Sequence, residues 1–156
     1  MSTIFANIKY LLAPVLILVT FAGVLAGGIF AWLGVALLFV GIVIDTLIKK
    51  QASSQMHNDS GETLASPMFQ NLVMYFMLPV FVLLQLALAW RVYGFMSGMP
   101  VEVTSVWMGL IPITSGITGL DLIGATLSTG IFAGIGIIYG HELSHTKGFA
   151  FIISRM

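Results

Sequence analysis

The chain has 156 residues, of which 58% are hydrophobic and 8% charged, with six Lys/Arg balancing six Asp/Glu. An ordinary soluble domain carries about 25% charged residues, so this composition excludes a soluble monomer, and its apolar content excludes disorder. No basic patch exists to neutralise phosphates, which excludes nucleic-acid binding. The lack of Cys excludes disulfides, thiolate metal sites and a cysteine nucleophile. What remains is an integral membrane protein.

The charged residues divide the chain. Tyr10 to Ile44 is an uncharged run between Lys9 and Asp45. As helix it would exceed one hydrocarbon core of about 30 Å, so it predicts two crossings, at about 10–26 and 29–48. The reversal falls at Gly27-Gly28, where paired glycines permit a tight turn. Leu25-Ala26-Gly27 offers small residues for signal cleavage, but the preceding apolar run is long for a signal core and a second span follows at once. Residues 49–67 are polar and read as a loop or interfacial segment. A third span is predicted at about 68–90, with Trp90, Arg91 and Tyr93 as interface anchors.

Residues 103–120 are uncharged but broken by Pro112, three glycines and several Ser/Thr. A fourth span follows at about 122–140, with Asp121 expected to cap its N-terminus. If 103–120 does not cross, Lys9, Lys49, Lys50, Lys147 and Arg155 share one side and Arg91 lies on the other. The positive-inside rule favours that arrangement, with the first set cytoplasmic. The expected fold is therefore all-α: one domain forming a polytopic transmembrane helix bundle of about four spans, plus a re-entrant or interfacial segment at 103–120. A bacterial inner membrane, with a cytoplasmic N-terminus, is the expected location.

One motif carries chemistry: His141-Glu142-Leu143-Ser144-His145. Residues four apart lie one turn apart on the same helix face, so both imidazoles can reach one metal ion. Ionisable groups at a membrane edge are costly to place without a function. H-E-x-x-H is the zinc-protease pattern, with Glu as general base. Gly148 suits its longer form, but Phe151 stands where that form needs a third His. A membrane zinc metalloprotease using the plain motif is thus one reading, with its third ligand not evident. A non-catalytic membrane scaffold is another.

A third reading comes from resemblance. The stretch from Leu120-Asp121-Leu122-Ile123-Gly124-Ala125 through Tyr139-Gly140-His141-Glu142-Leu143-Ser144-His145-Thr146-Lys147 resembles the fourth span and first histidine box of the membrane alkane and xylene monooxygenases, relatives of the fatty acid desaturases. That family writes the box as G-H-E-L-x-H followed by a basic residue; here the basic residue, Lys147, comes one position later. Asp45 in Val43-Ile44-Asp45-Thr46-Leu47 is similar to the end of the family's second span. The resemblance implies a non-haem di-iron monooxygenase that uses O2 to hydroxylate an alkane, alkyl-aromatic or fatty-acyl substrate taken from the bilayer. It makes His141 and His145 metal ligands, with Glu142 and Asp45 orienting a ligand by hydrogen bonding. Electrons would come from NAD(P)H through a separate rubredoxin- or ferredoxin-like protein and its reductase. The family builds its centre from many more histidines, spread over three boxes. This chain adds only His57, read as a solvated loop residue, so it is expected to be the N-terminal part of a larger enzyme or an inactive truncated product.

Gly130 and Gly134 form a G-x-x-x-G pair, as do Gly136 and Gly140. Such spacing lets helices approach closely in lipid. Gly134 lies seven residues before His141 on roughly the same face. Gly130 and Gly134 are therefore read as helix packing, or as the lining of an apolar passage to the metal. Met68, Met74 and Met77 read as lipid-facing or core filler, and Trp32, Trp90 and Trp107 as anchors and packing.

Overall fold

A computed structural model describes residues 3–52, 67–106 and 111–144. Four helices dominate them: α1 (Thr3–Ala26), α2 (Leu33–Ala52), α3 (Pro67–Met96) and α4 (Gly119–Ser144). They form an all-α bundle whose largest helix interface is α1 on α3. Segments 28–47, 72–96 and 119–138 are long and apolar enough to cross a membrane, and 11–26 is a shorter apolar stretch. The chain is a membrane protein. Of the four spans expected from the sequence, all four are helices with shifted boundaries, and three of them are long and apolar enough to cross.

The chain runs up, down, up and down. The α1–α2 reversal occurs where expected: Gly27 and Gly28 have φ of 72° and 53°, a region that glycine enters without a Cβ clash. A 3-10 turn (Gly28–Trp32) follows, so α2 starts at Leu33 rather than Ile29. α3 runs past Trp90 to Met96, since nothing in Arg91-Val92-Tyr93 breaks a helix. It ends where Gly98 adopts φ 65° and its N–H reaches the Phe95 carbonyl. Pro14 and Pro79 lie inside α1 and α3. Each removes one backbone donor, a loss that packed membrane helices tolerate.

Among the described residues of 103–120, two runs are extended rather than helical, and Gly119 and Leu120 already belong to α4. Val103–Val106 (β1) and Ile111–Thr114 (β2) pair antiparallel, with Val103 opposite Thr114 and Val106 opposite Ile111. The β-branched residues of both runs suit extended backbone. Pro112 is tolerated because a two-stranded ribbon has only edge strands. The expected re-entrant or interfacial segment thus contains a pair of short antiparallel strands.

α4 begins three residues earlier than expected because Thr118 caps it, rather than Asp121. The Asp121 N–H donates to Thr118 Oγ1 at 3.2 Å, and the Thr118 hydroxyl donates to Asp121 Oδ2 at 2.6 Å. Thr118 is thus the N-cap, and Asp121 in the third helical position holds its hydroxyl in place.

The buried core is drawn from α1, α3 and α4, with Ala31 of the 3-10 turn, and includes Ile17, Val24, Met77, Leu84, Ala125 and Phe132; α2 adds the partly buried Leu37. Met77 is thus core filler, as one reading of the methionines had it. Helices approach closely at Gly34, where a Cβ would lie 2.6 Å from Ser128 Cβ and 2.9 Å from Thr20 Cγ2. There the buried Ser128 hydroxyl donates to the Ala31 carbonyl at 2.8 Å and accepts from the Val35 N–H at 3.3 Å. Gly124 plays the same part against Trp32, whose ring would lie 2.6 Å from a Cβ.

Candidate functional site

The two ends of the bundle differ in character. At one end sit the Gly27-Gly28 reversal, the hairpin and the cap of α4. Arg91 joins them. It is 2% exposed, so it is not the interface anchor its place in the sequence suggests. Its Nε donates to the Val24 carbonyl at 2.8 Å, and Nη2 donates to the Leu25 carbonyl. Its Nη1 donates to the carbonyls of Thr114 at 2.8 Å and Gly116 at 3.2 Å, with Ser115 at 3.5 Å. The first two acceptors are last-turn carbonyls of α1, which have no partner within the helix. A cation there also complements the helix dipole. The planar guanidinium fork thus ties α1 to the segment joining β2 to α4. Thr114 strengthens the seam by donating to the Ala26 carbonyl at 3.1 Å. Trp90 and Tyr93 flank Arg91 but remain exposed, their rings 6.2 Å apart, as expected of interface aromatics.

The opposite end carries the motif. His141 is exposed in the last turn of α4. Glu142 follows it on the same helix, about 100° around the axis; His145 and His57 lie outside the described residues. Asp45 is exposed on α2. Its height relative to His141 follows from the register of α2 on α4. These helices run parallel, joined by the Val35–Ser128 hydrogen bond. Asp45 lies ten residues beyond Val35 and His141 thirteen beyond Ser128. At 1.5 Å per residue they stand about 15 and 20 Å below that bond, one helical turn apart in height.

Asp45 also rims a groove of ≈300 Å³ between α2 and α4, walled by Leu37, Ile42, Ile131, Phe132 and Ile135 among others. The groove exists because α2 is uncovered over residues 38–47, all of which are exposed. Gly130 and Gly134 are exposed too, and a Cβ at either would meet nothing within 4 Å among the described residues. Among the described residues, close helix approach occurs instead at Gly34 and Gly124. Gly136 approaches the Phe81 ring, 3.1 Å from a built Cβ. Gly140 is placed on α4 without a described surrounding.

Among the described residues no group of three or more His, Cys, Asp or Glu is arranged to hold a metal. Neutral imidazole is a suitable donor for iron or zinc, but these residues contribute one imidazole and do not complete a donor set. Arg91 is what sequence reasoning missed. With α3 continuing to Met96, an Arg five residues before its end must either snorkel or find acceptors.

Comparison with known proteins finds no matching family model, no matching curated protein and no matching solved structure.

Proposed function

We propose that this chain is the part of an integral-membrane non-haem di-iron monooxygenase that carries its first histidine box, His141-Glu142-Leu143-Ser144-His145. The observation that supports this most directly is the exposure of His141 on the last turn of a membrane-length helix, at the end of the bundle away from Arg91. Asp45 stands about one turn from it in height on the parallel neighbouring helix. In this proposal His141 and His145 are iron ligands, and Glu142 and Asp45 hold imidazole N–H groups in the orientation that presents the other ring nitrogen. A bound di-iron group would supply activation of O2 for hydroxylation of an alkane, alkyl-aromatic or fatty-acyl C–H bond. The apolar surfaces of the bundle admit such a substrate from the lipid. Electrons from NAD(P)H arrive through a separate rubredoxin- or ferredoxin-like protein and its reductase. The motif end faces the cytoplasm of a bacterial inner membrane, where those donors are found.

The described residues hold an incomplete donor set, so the remaining ligands belong to sequence not described here. Metal analysis of the protein expressed with the whole of its reading frame tests the assignment. Two irons per chain are expected, falling sharply in His141→Ala and His145→Ala. One zinc, unaffected by iron supplementation, would establish the metalloprotease reading instead. Absence of any metal would leave a membrane scaffold.

A further inference from the structure

Gln85 differs from every polar group described above. It is the only carboxamide within the apolar segments 11–26, 28–47, 72–96 and 119–138, and it lies near the midpoint of the third. Thr20, Ser128 and Arg91 are buried and hydrogen-bonded inside the bundle. The exposed hydroxyls of Thr46 and Thr126 turn back onto carbonyls one helical turn earlier. The Gln85 side chain is exposed on α3 and forms no hydrogen bond among the described residues. At the middle of a membrane span there is no water to serve two N–H donors and a carbonyl oxygen. Beside it lies a shallow recess of ≈300 Å³ between α3 and α4, lined by Phe81, Gln85, Ala133, Gly136 and Ile137. Ala133 and Gly136 keep one wall of the recess low, so that another helix can come close to the amide.

We propose that a second copy of this chain packs on this α3–α4 face, with the two Gln85 amides hydrogen-bonded to each other across a two-fold axis parallel to the bilayer normal. A carboxamide is its own complement: the N–H of each donates to the carbonyl of the other. Copies inserted with one orientation carry Gln85 at one depth, so a rotation about the normal brings amide to amide without tilting either bundle. A different partner would need a polar group of its own at that level. The amide selects the partner because apolar faces gain little over lipid by pairing.

The chain contains no cysteine, so single-cysteine variants report directly. With the protein expressed with the whole of its reading frame, any cysteine outside these 156 residues replaced by Ser, in phosphatidylcholine vesicles, Gln85→Cys is expected to cross-link into a dimer on mild oxidation. Phe39→Cys, on the exposed side of α2, is expected not to. Energy transfer between donor- and acceptor-labelled copies, followed as lipid dilutes the protein, should show Gln85→Leu weakening self-association about three- to tenfold. Ala133→Leu, which fills the recess and leaves the amide intact, should also weaken it, and Gln85→Asn should retain most of it. Helix content by circular dichroism separates these effects from misfolding. Equal cross-linking at both cysteine positions, or an unchanged dilution curve for Gln85→Leu, overturns the proposal. So does a wild-type chain that stays monomeric at every dilution, which would assign the Gln85 face to some other transmembrane segment.

Discussion

Replacing Arg91 with Met removes the guanidinium while keeping a long apolar stem. Each hydrogen bond from a charged donor contributes about 1.5–3 kcal/mol net. Three of those made by Arg91 have lengths of 2.8, 2.8 and 3.2 Å. Simple addition overstates their worth for two reasons. The substitution also removes the desolvation cost of a buried cation, and the freed carbonyls lie at an end of the bundle that water can reach. A loss of about 3–5 kcal/mol is expected, below the roughly 4.5–9 kcal/mol to which three such bonds would add. Arg91→Lys keeps the charge, but a single ammonium cannot span acceptors on α1 and on the segment after β2. It should cost roughly half as much. Unfolding of the purified protein in mixed dodecyl-maltoside and SDS micelles, followed by far-ultraviolet circular dichroism, measures both. An Arg91→Met variant within about 0.5 kcal/mol of the parent, the range of an ordinary surface substitution, would refute the claim that this fork holds α1 to the hairpin.

Further tests separate the tight glycines from the open ones. Gly34→Ala places a methyl 2.6 Å from Ser128 Cβ and should destabilise by about 1–3 kcal/mol in the same assay. Gly134→Ala meets nothing within 4 Å among the described residues and should be neutral, or stabilising by a few tenths of a kcal/mol through helix propensity. Thr118→Ala removes the cap of α4 and should cost about 1 kcal/mol, seen as faster amide exchange at residues 119–122. Single cysteines at Val103 and His141 should be labelled by a membrane-impermeant maleimide from opposite sides of the membrane, since β1 and the last turn of α4 lie at opposite ends of the bundle.

The helices were legible because apolar runs interrupted by charge or paired glycine leave little alternative in a membrane. Gly27-Gly28 showed the reversal for the same reason that it makes one. The boundaries shifted where short-range chemistry competed with hydropathy. Thr118 outranked Asp121 as a cap because its hydroxyl accepts the Asp121 N–H three residues on. Residues 103–120 were recognised as no ordinary span, yet their alternating β-branched residues were masked by a uniformly uncharged composition. Arg91 reads as an interface anchor in the sequence because its acceptors are main-chain carbonyls, present at every residue: the need for acceptors is legible there, their identity is not. The inward role of Gly34 was equally hidden, since an isolated glycine in an apolar helix does not show which face a neighbour covers. For the histidine box, the pattern identifies donors, but spacing within one helix cannot disclose ligands that come from elsewhere.

The unequal ends of the bundle have a mechanical consequence. Main-chain carbonyls, a guanidinium and close helix contacts cinch the molecule beside the hairpin, whereas at the far end α2 and α4 meet across a groove. Strain applied at the histidine end can be taken up by small changes in the separation of those two helices, with the fastened end as the fulcrum. The hairpin therefore serves more as a buckle than as a lid: it sets where the helices are held, and so leaves the motif end free to adjust its width.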